Sequence, residues 1–159
     1  MGVAGSGKSV IGAALADALG IEFVEGDQYH SAENVQRMSQ GIPLTDDDRT
    51  LWLLSLAARV REARNAGTGL VISCSALKRS YRDILRAEAS DLRFVFLKGE
   101  RALIAERLAT RRGHFMPPLL LDSQLDILEE PSPDEKSWVC DIRKSPQDIV
   151  AALLTSISK

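Results

Sequence analysis

The chain has 159 residues, 45% of them hydrophobic and 26% charged, with a formal net charge of −2. That length suits one domain with a substantial core, and the near-neutral charge excludes the global basic field of a nucleic-acid binder. Cys74 and Cys140 are too few to staple a secreted fold and read as reduced, buried thiols of a cytoplasmic protein; no apolar run approaches a membrane span and no charged-then-apolar leader is present.

Gly2-Val3-Ala4-Gly5-Ser6-Gly7-Lys8-Ser9 matches the phosphate-binding pattern G-x-x-x-x-G-K-[ST] at every position. Its glycines let the backbone fold tightly enough to aim N–H groups at phosphate oxygens, and the following helix adds its positive end. Lys8 then reaches the β- and γ-phosphates of ATP, and the Ser9 hydroxyl suits Mg²⁺. Such a loop normally follows a strand, yet only Met1 precedes it here. The expectation is that this first strand is missing, that its neighbours expose unpaired apolar edges, and that an upstream-extended chain is more soluble and more active.

Lys8 to Leu19 reads as a helix capped by Gly20, and residues 21–25 as a short strand. Ser31 to Gln40 predicts a short helix. Thr45 with Asp46, Asp47 and Asp48 opens a longer one to Ala66, where an acidic first turn complements the dipole. Residues 70–74 form an apolar run suited to a strand buried on both faces. Helix follows over 78–89, strand over 93–97, helix over 100–112, a short helix over 119–128, and strand over 137–142. Ser145-Pro146 starts the last helix. Strands alternating with helices predict a parallel sheet covered on both faces, in one domain, with ligands beyond the carboxyl ends of the strands.

Residues at those ends carry the chemistry. Asp27 follows the second strand position and can accept the proton of a substrate hydroxyl; the alternative is an ordinary turn aspartate. His30 lies three residues on, and by itself reads as a surface histidine. Arg49 sits within an acidic helix turn, where its charge opposes the dipole. It either binds an anionic group such as a carboxylate through its planar fork or neutralises the three aspartates. Lys78, Arg79 and Arg82 follow the strand over 70–74 and suit an anionic substrate. Arg107 and Arg111 share a helix face and either close over phosphates or form a solvated basic helix end.

The P-loop, Gly26-Asp27-Gln28-Tyr29-His30, Gly41-Ile42-Pro43-Leu44-Thr45-Asp46-Asp47-Asp48-Arg49, Cys74-Ser75-Ala76-Leu77-Lys78, Leu97-Lys98-Gly99 and Arg112-Gly113-His114-Phe115-Met116 occur in one order. Together they resemble the bacterial-type gluconokinases, relatives of shikimate kinase. The resemblance implies an α/β P-loop kinase fold, with a five-stranded sheet ordered 2-3-1-4-5 and a lid over about residues 111–131. It further implies ATP-dependent phosphorylation of D-gluconate to 6-phosphogluconate, Mg²⁺ as cofactor, and a homodimer. Lys8, Asp27, Arg107 and Arg111 are then catalytic, with Asp27, His30, Arg49, Lys78, Arg82 and His114 on the substrate. Leu51 departs from the family's usual proline before the tryptophan. Rival readings are another small-molecule kinase of this fold, a GTPase-like switch, and a nucleotide-binding remnant without catalysis. The switch lacks its Asn-Lys-x-Asp base-recognition motif.

Overall fold

The structure, a computed structural model, describes residues 1–110 and 119–157. In chain order it contains α1 (Lys8–Leu19), β1 (Glu22–Glu25), α2 (Ala32–Ser39), α3 (Asp46–Ala66), β2 (Leu70–Ser73), α4 (Arg79–Arg86), β3 (Val95–Lys98), α5 (Arg101–Thr110), α6 (Leu119–Ile127), β4 (Trp138–Asp141) and α7 (Pro146–Ile157). Single 3-10 turns follow β1 at Gly26–Tyr29 and precede β4 at Pro133–Glu135.

Local chemistry explains the longest element. Thr45 and Asp48 form a reciprocal capping box at the start of α3, with the Asp48 N–H donating to Thr45 Oγ1 at 3.2 Å and the Thr45 N–H to Asp48 Oδ2 at 2.7 Å. Trp52, Leu53, Leu56, Val60 and Ala63 recur at helical spacing and are buried. Gly67, in the left-handed conformation at φ 65°, ends the helix.

Helices cover the strands on both faces. Ile11 and Leu15 of α1, Ile104 of α5, and Ile149 and Leu153 of α7 share one core with Val3 and Ala4 of the P-loop. Trp52 and Leu56 of α3, Tyr81 and Leu85 of α4, and Phe94 and Phe96 form the other. Met38, Leu44 and Leu120 make a small third cluster that fastens α6 to the α2–α3 connection.

The described strands form two separate parallel pairs, β1 with β2 and β3 with β4, in place of the five-stranded sheet implied by the resemblance. Glu22 faces Leu70 in the first pair and Val95 faces Trp138 in the second. The remaining edges of β2 and β3 both border an apolar cavity of about 410 Å³, floored by Ile11, Leu15 and Leu153. Met1 spans its mouth. Its amino group donates to the Val95 carbonyl and its own carbonyl accepts from Leu97 N–H at 3.0 Å, while Gly2 N–H donates to Ser75 at 3.1 Å.

Arg82 is not available to a substrate. It is fully buried, pairing with Glu135 through Nε at 2.6 Å and Nη2 at 2.8 Å. Its Nη1 donates to the carbonyls of Ala76, Leu77 and Glu129 at 3.0, 3.3 and 3.0 Å. An arginine with these donors engaged inside the protein is a structural clamp, which corrects the expectation that it binds substrate.

Arg82 also holds the Glu135 carboxyl down to about 2. A depressed acid contributes stability that is fully present above its unfolded value and is lost as pH falls through the folded one. Thermal stability should therefore decline as pH drops from about 4.5 toward 2, and less steeply in an Arg82→Met, Glu135→Leu double variant. Glu135→Ala alone strands a buried guanidinium and should cost about 3–5 kcal/mol, lowering Tm by roughly 10 °C in a thermal melt at pH 7.

Candidate active site

The P-loop wraps the start of α1. Gly5 has φ 80°, and a Cβ there would lie 2.8 Å from Leu108 Cγ, so both backbone angle and space exclude a side chain. Gly7 occupies the N-cap of α1 and makes no side-chain cap, unlike Ser31 and Thr45 before α2 and α3. The first-turn amides of α1 are thereby left for an anion. Lys8 Nζ donates to the Val3 carbonyl at 2.9 Å, folded back along the loop.

Opposite lies the turn after β1. A Cβ on Gly26 would fall 2.1 Å from the Ser73 carbonyl, so this backbone passes against β2 only because the residue is glycine. Trp52 Nε1 donates to the Gly26 carbonyl at 2.8 Å, and the Trp52 ring stacks on His30 with centroids 4.2 Å apart and planes 18° apart. One α3 side chain thus fixes both Asp27's turn and His30. Burial lowers the His30 pKa against an opposing pull from Asp27, so the ring is neutral at pH 7. Among the described residues its buried Nδ1 has no hydrogen-bond partner.

The aspartates around Arg49 have other direct partners. Asp46 is taken by Lys78 Nζ at 2.8 Å and by the Tyr81 hydroxyl, and Asp48 by Arg37 at 3.4 Å and the Thr45 cap. Among the described residues Arg49 makes no ion pair. Its Nη1 instead donates to the Leu44 carbonyl and, at 3.5 Å, to the Tyr81 hydroxyl. The guanidinium lies 5.8 Å from the Tyr81 ring centre. The fork is oriented from one side, and among the described residues Nε and Nη2 show no hydrogen-bond partner.

Lys8, Ser9, Asp27, His30, Arg49 and Arg107 line one cavity of about 440 Å³. Ala4, Gly5 and Gly7 border it too, while Gly2, Val3 and Ser6 lie buried behind the loop. Arg107 is aimed by a 2.7 Å bond from Nη2 to the Ile142 carbonyl. Lys78 is not in the lining and is held by Asp46, which departs from the expected substrate contact. Arg111 and His114 lie outside the described residues, as does the first part of the expected lid; its later part, α6, is packed on the core through Leu120 and Leu121. Cys74 is buried with its thiol pushed up to about 12 and is chemically inert, and Cys140 is half-buried.

The sequence does not single out three polar lining residues, Thr110, Gln124 and Lys144. Lys144 had a signal, since it follows β4 on the side where ligands bind in such folds. Gln124 had none.

The residues present fit both groups that the P-loop implies. Glycine-shaped backbone, uncapped amides and Lys8 suit a nucleotide polyphosphate, and the Ser9 hydroxyl and Asp27 carboxylate are hard oxygen donors in the same cavity.

A family model described as an AAA domain matches residues 1–131. A gluconokinase of Gluconobacter oxydans is 45% identical over 154 residues, covering 97% of this chain and 86% of the relative. A crystal structure of a Sinorhizobium meliloti gluconokinase is 47% identical with a TM-score of 0.89, over 99% of this chain and 89% of that one. An unliganded sugar kinase from a Janibacter species, also 47% identical, superposes with a TM-score of 0.95 over 99% and 91%. A P-loop kinase fold, matched nearly end to end by gluconokinases at 45% and 47% identity, places the chain in the gluconokinase family.

Proposed function

We propose that the protein transfers the γ-phosphoryl group of ATP to a hydroxyl of D-gluconate, giving 6-phospho-D-gluconate and ADP. The observation that carries this reading is that Asp27, His30 and Arg49 share one cavity with Lys8 and Ser9, so acceptor and donor groups meet without a change of site. The α1 amides and Lys8 bind the polyphosphate and offset charge on the transferring group. A bound Mg²⁺, held by Ser9, would neutralise the β- and γ-oxygens. Arg49 takes the gluconate carboxylate through its fork, and the neutral His30 offers Nδ1 to a sugar hydroxyl. Asp27 orients the attacking hydroxyl and receives its proton as the new O–P bond forms and the bond to the β-phosphate oxygen breaks. Arg107 and Arg111 stabilise charge on the phosphoryl group, with His114 on the substrate side. The same family reading makes the protein a cytoplasmic homodimer, acting on a small molecule and neither nucleic acid nor membrane. Among the described residues no helix is long and apolar enough to cross a membrane.

A coupled ADP-release assay across sugar acids, shikimate and nucleoside monophosphates tests the reading. Gluconate should give the highest kcat/KM, and a better acceptor elsewhere in the panel would replace it. Arg49→Lys keeps the charge but loses the fork, so KM for gluconate should rise about tenfold with KM for ATP within twofold. Unchanged gluconate kinetics with a lowered melting temperature would make Arg49 structural. Asp27→Asn should lower kcat by roughly 10²–10⁴ while calorimetric gluconate affinity holds. Equal losses in both would make Asp27 a binding group only.

A further inference from the structure

A residue on α6 grips the P-loop from outside the loop itself. The Ala4 N–H donates to Gln124 Oε1 at 2.7 Å, across 120 positions of sequence. The same peptide unit presents the Val3 carbonyl, which accepts from Lys8 Nζ at 2.9 Å and from the Ser6 N–H at 3.3 Å. A trans peptide is planar, so its N–H and C=O turn together and holding one fixes the other.

We infer that Gln124 is a positioning residue for Lys8, acting through the Val3–Ala4 peptide to set the direction from which the ammonium reaches a nucleotide's phosphates. This deepens the kinase reading and depends only on its P-loop, not on the identity of the acceptor. Gln124 can play this part because its helix is anchored on two sides. Leu121 packs into the core that holds Val3 and Ala4, and Leu120 packs with Met38 and Leu44. Past the end of α6, Glu129 N–H donates to the Leu77 carbonyl at 2.9 Å. Because Leu44 also accepts from Arg49, α6 sits between the phosphate-binding loop and the acceptor-binding arginine.

Gln124→Met preserves length and packing while removing the strong acceptor. Calorimetry with Mg²⁺ and a non-hydrolysable ATP analogue should show roughly three- to tenfold weaker binding, the size of one hydrogen bond, with gluconate affinity within twofold. In a Lys8→Met background the same change should have less than half that effect, because the two residues act through one peptide. Nucleotide binding that is unchanged or tighter in Gln124→Met overturns the inference, the tighter result meaning that Gln124 competes with phosphate. So does an equal loss in the Lys8→Met background, or an equal loss for gluconate. If the variant lacks a cooperative melt, amide hydrogen exchange on the unaltered protein decides. Ala4 should exchange slowly, and exchange as fast as an open loop removes the contact. None of these readings uses gluconate turnover, so they stand or fall apart from the choice of acceptor.

Discussion

The guanidinium of Arg82 is the contact on which one wall of the cavity depends. It is buried, and it gathers the carbonyls of Ala76, Leu77 and Glu129 with the Glu135 carboxylate around one planar group. Such a pair contributes little net stability over an apolar replacement of the same volume, so its value lies in geometry. That geometry is visible at Ala76, a fully buried non-glycine residue at φ 44°. A left-handed alanine is costly, and the hydrogen bond to its carbonyl helps hold it there. The turn so made carries Ser75 into the cavity and brings the end of α6 against the loop after β2.

From that fixed wall the cavity opens toward the P-loop, and its electrostatics differ from those of the chain. Lys8, Arg49, Arg107 and Lys144 line it against Asp27, although the chain is −2 overall. Anionic ligands can therefore be attracted to this cavity by a protein whose total charge does not favour them, because low-dielectric walls make local charge count for more than the sum. Among the described residues Asp27 is the one carboxylate in that lining.

The two strand pairs meet across apolar side chains where a continuous sheet would have hydrogen bonds. Among the described residues Met1 and Gly2 bridge the division, through three backbone contacts to Val95, Leu97 and Ser75. Unpaired strand edges beside an apolar cavity favour pairing with another extended segment. The P-loop hangs from this junction, so the order of the phosphate cradle is tied to how firmly the two halves are joined.

The local grammar of the chain was enough to determine the P-loop, the alternation of strands and helices, and nearly every helix start. Those features rest on contacts a few residues apart: the Thr45–Asp48 box, the Gly67 stop, the glycine pattern before Lys8. The sequence also singled out Asp27, His30 and Arg49 as candidates, since position after a strand and an out-of-place charge are both readable along the chain. It could not choose between roles that depend on distant partners. Arg49 acts on Asp46 and Asp48 through its charge alone, while Lys78, Tyr81 and Arg37 contact them directly. Arg82 and Arg49 look alike in sequence, yet one is fully buried around Glu135 and the other borders the cavity. Gln124 was invisible for the same reason. Its partner, an amide at the far end of the chain, is brought within 2.7 Å by packing of α6 that no local pattern encodes.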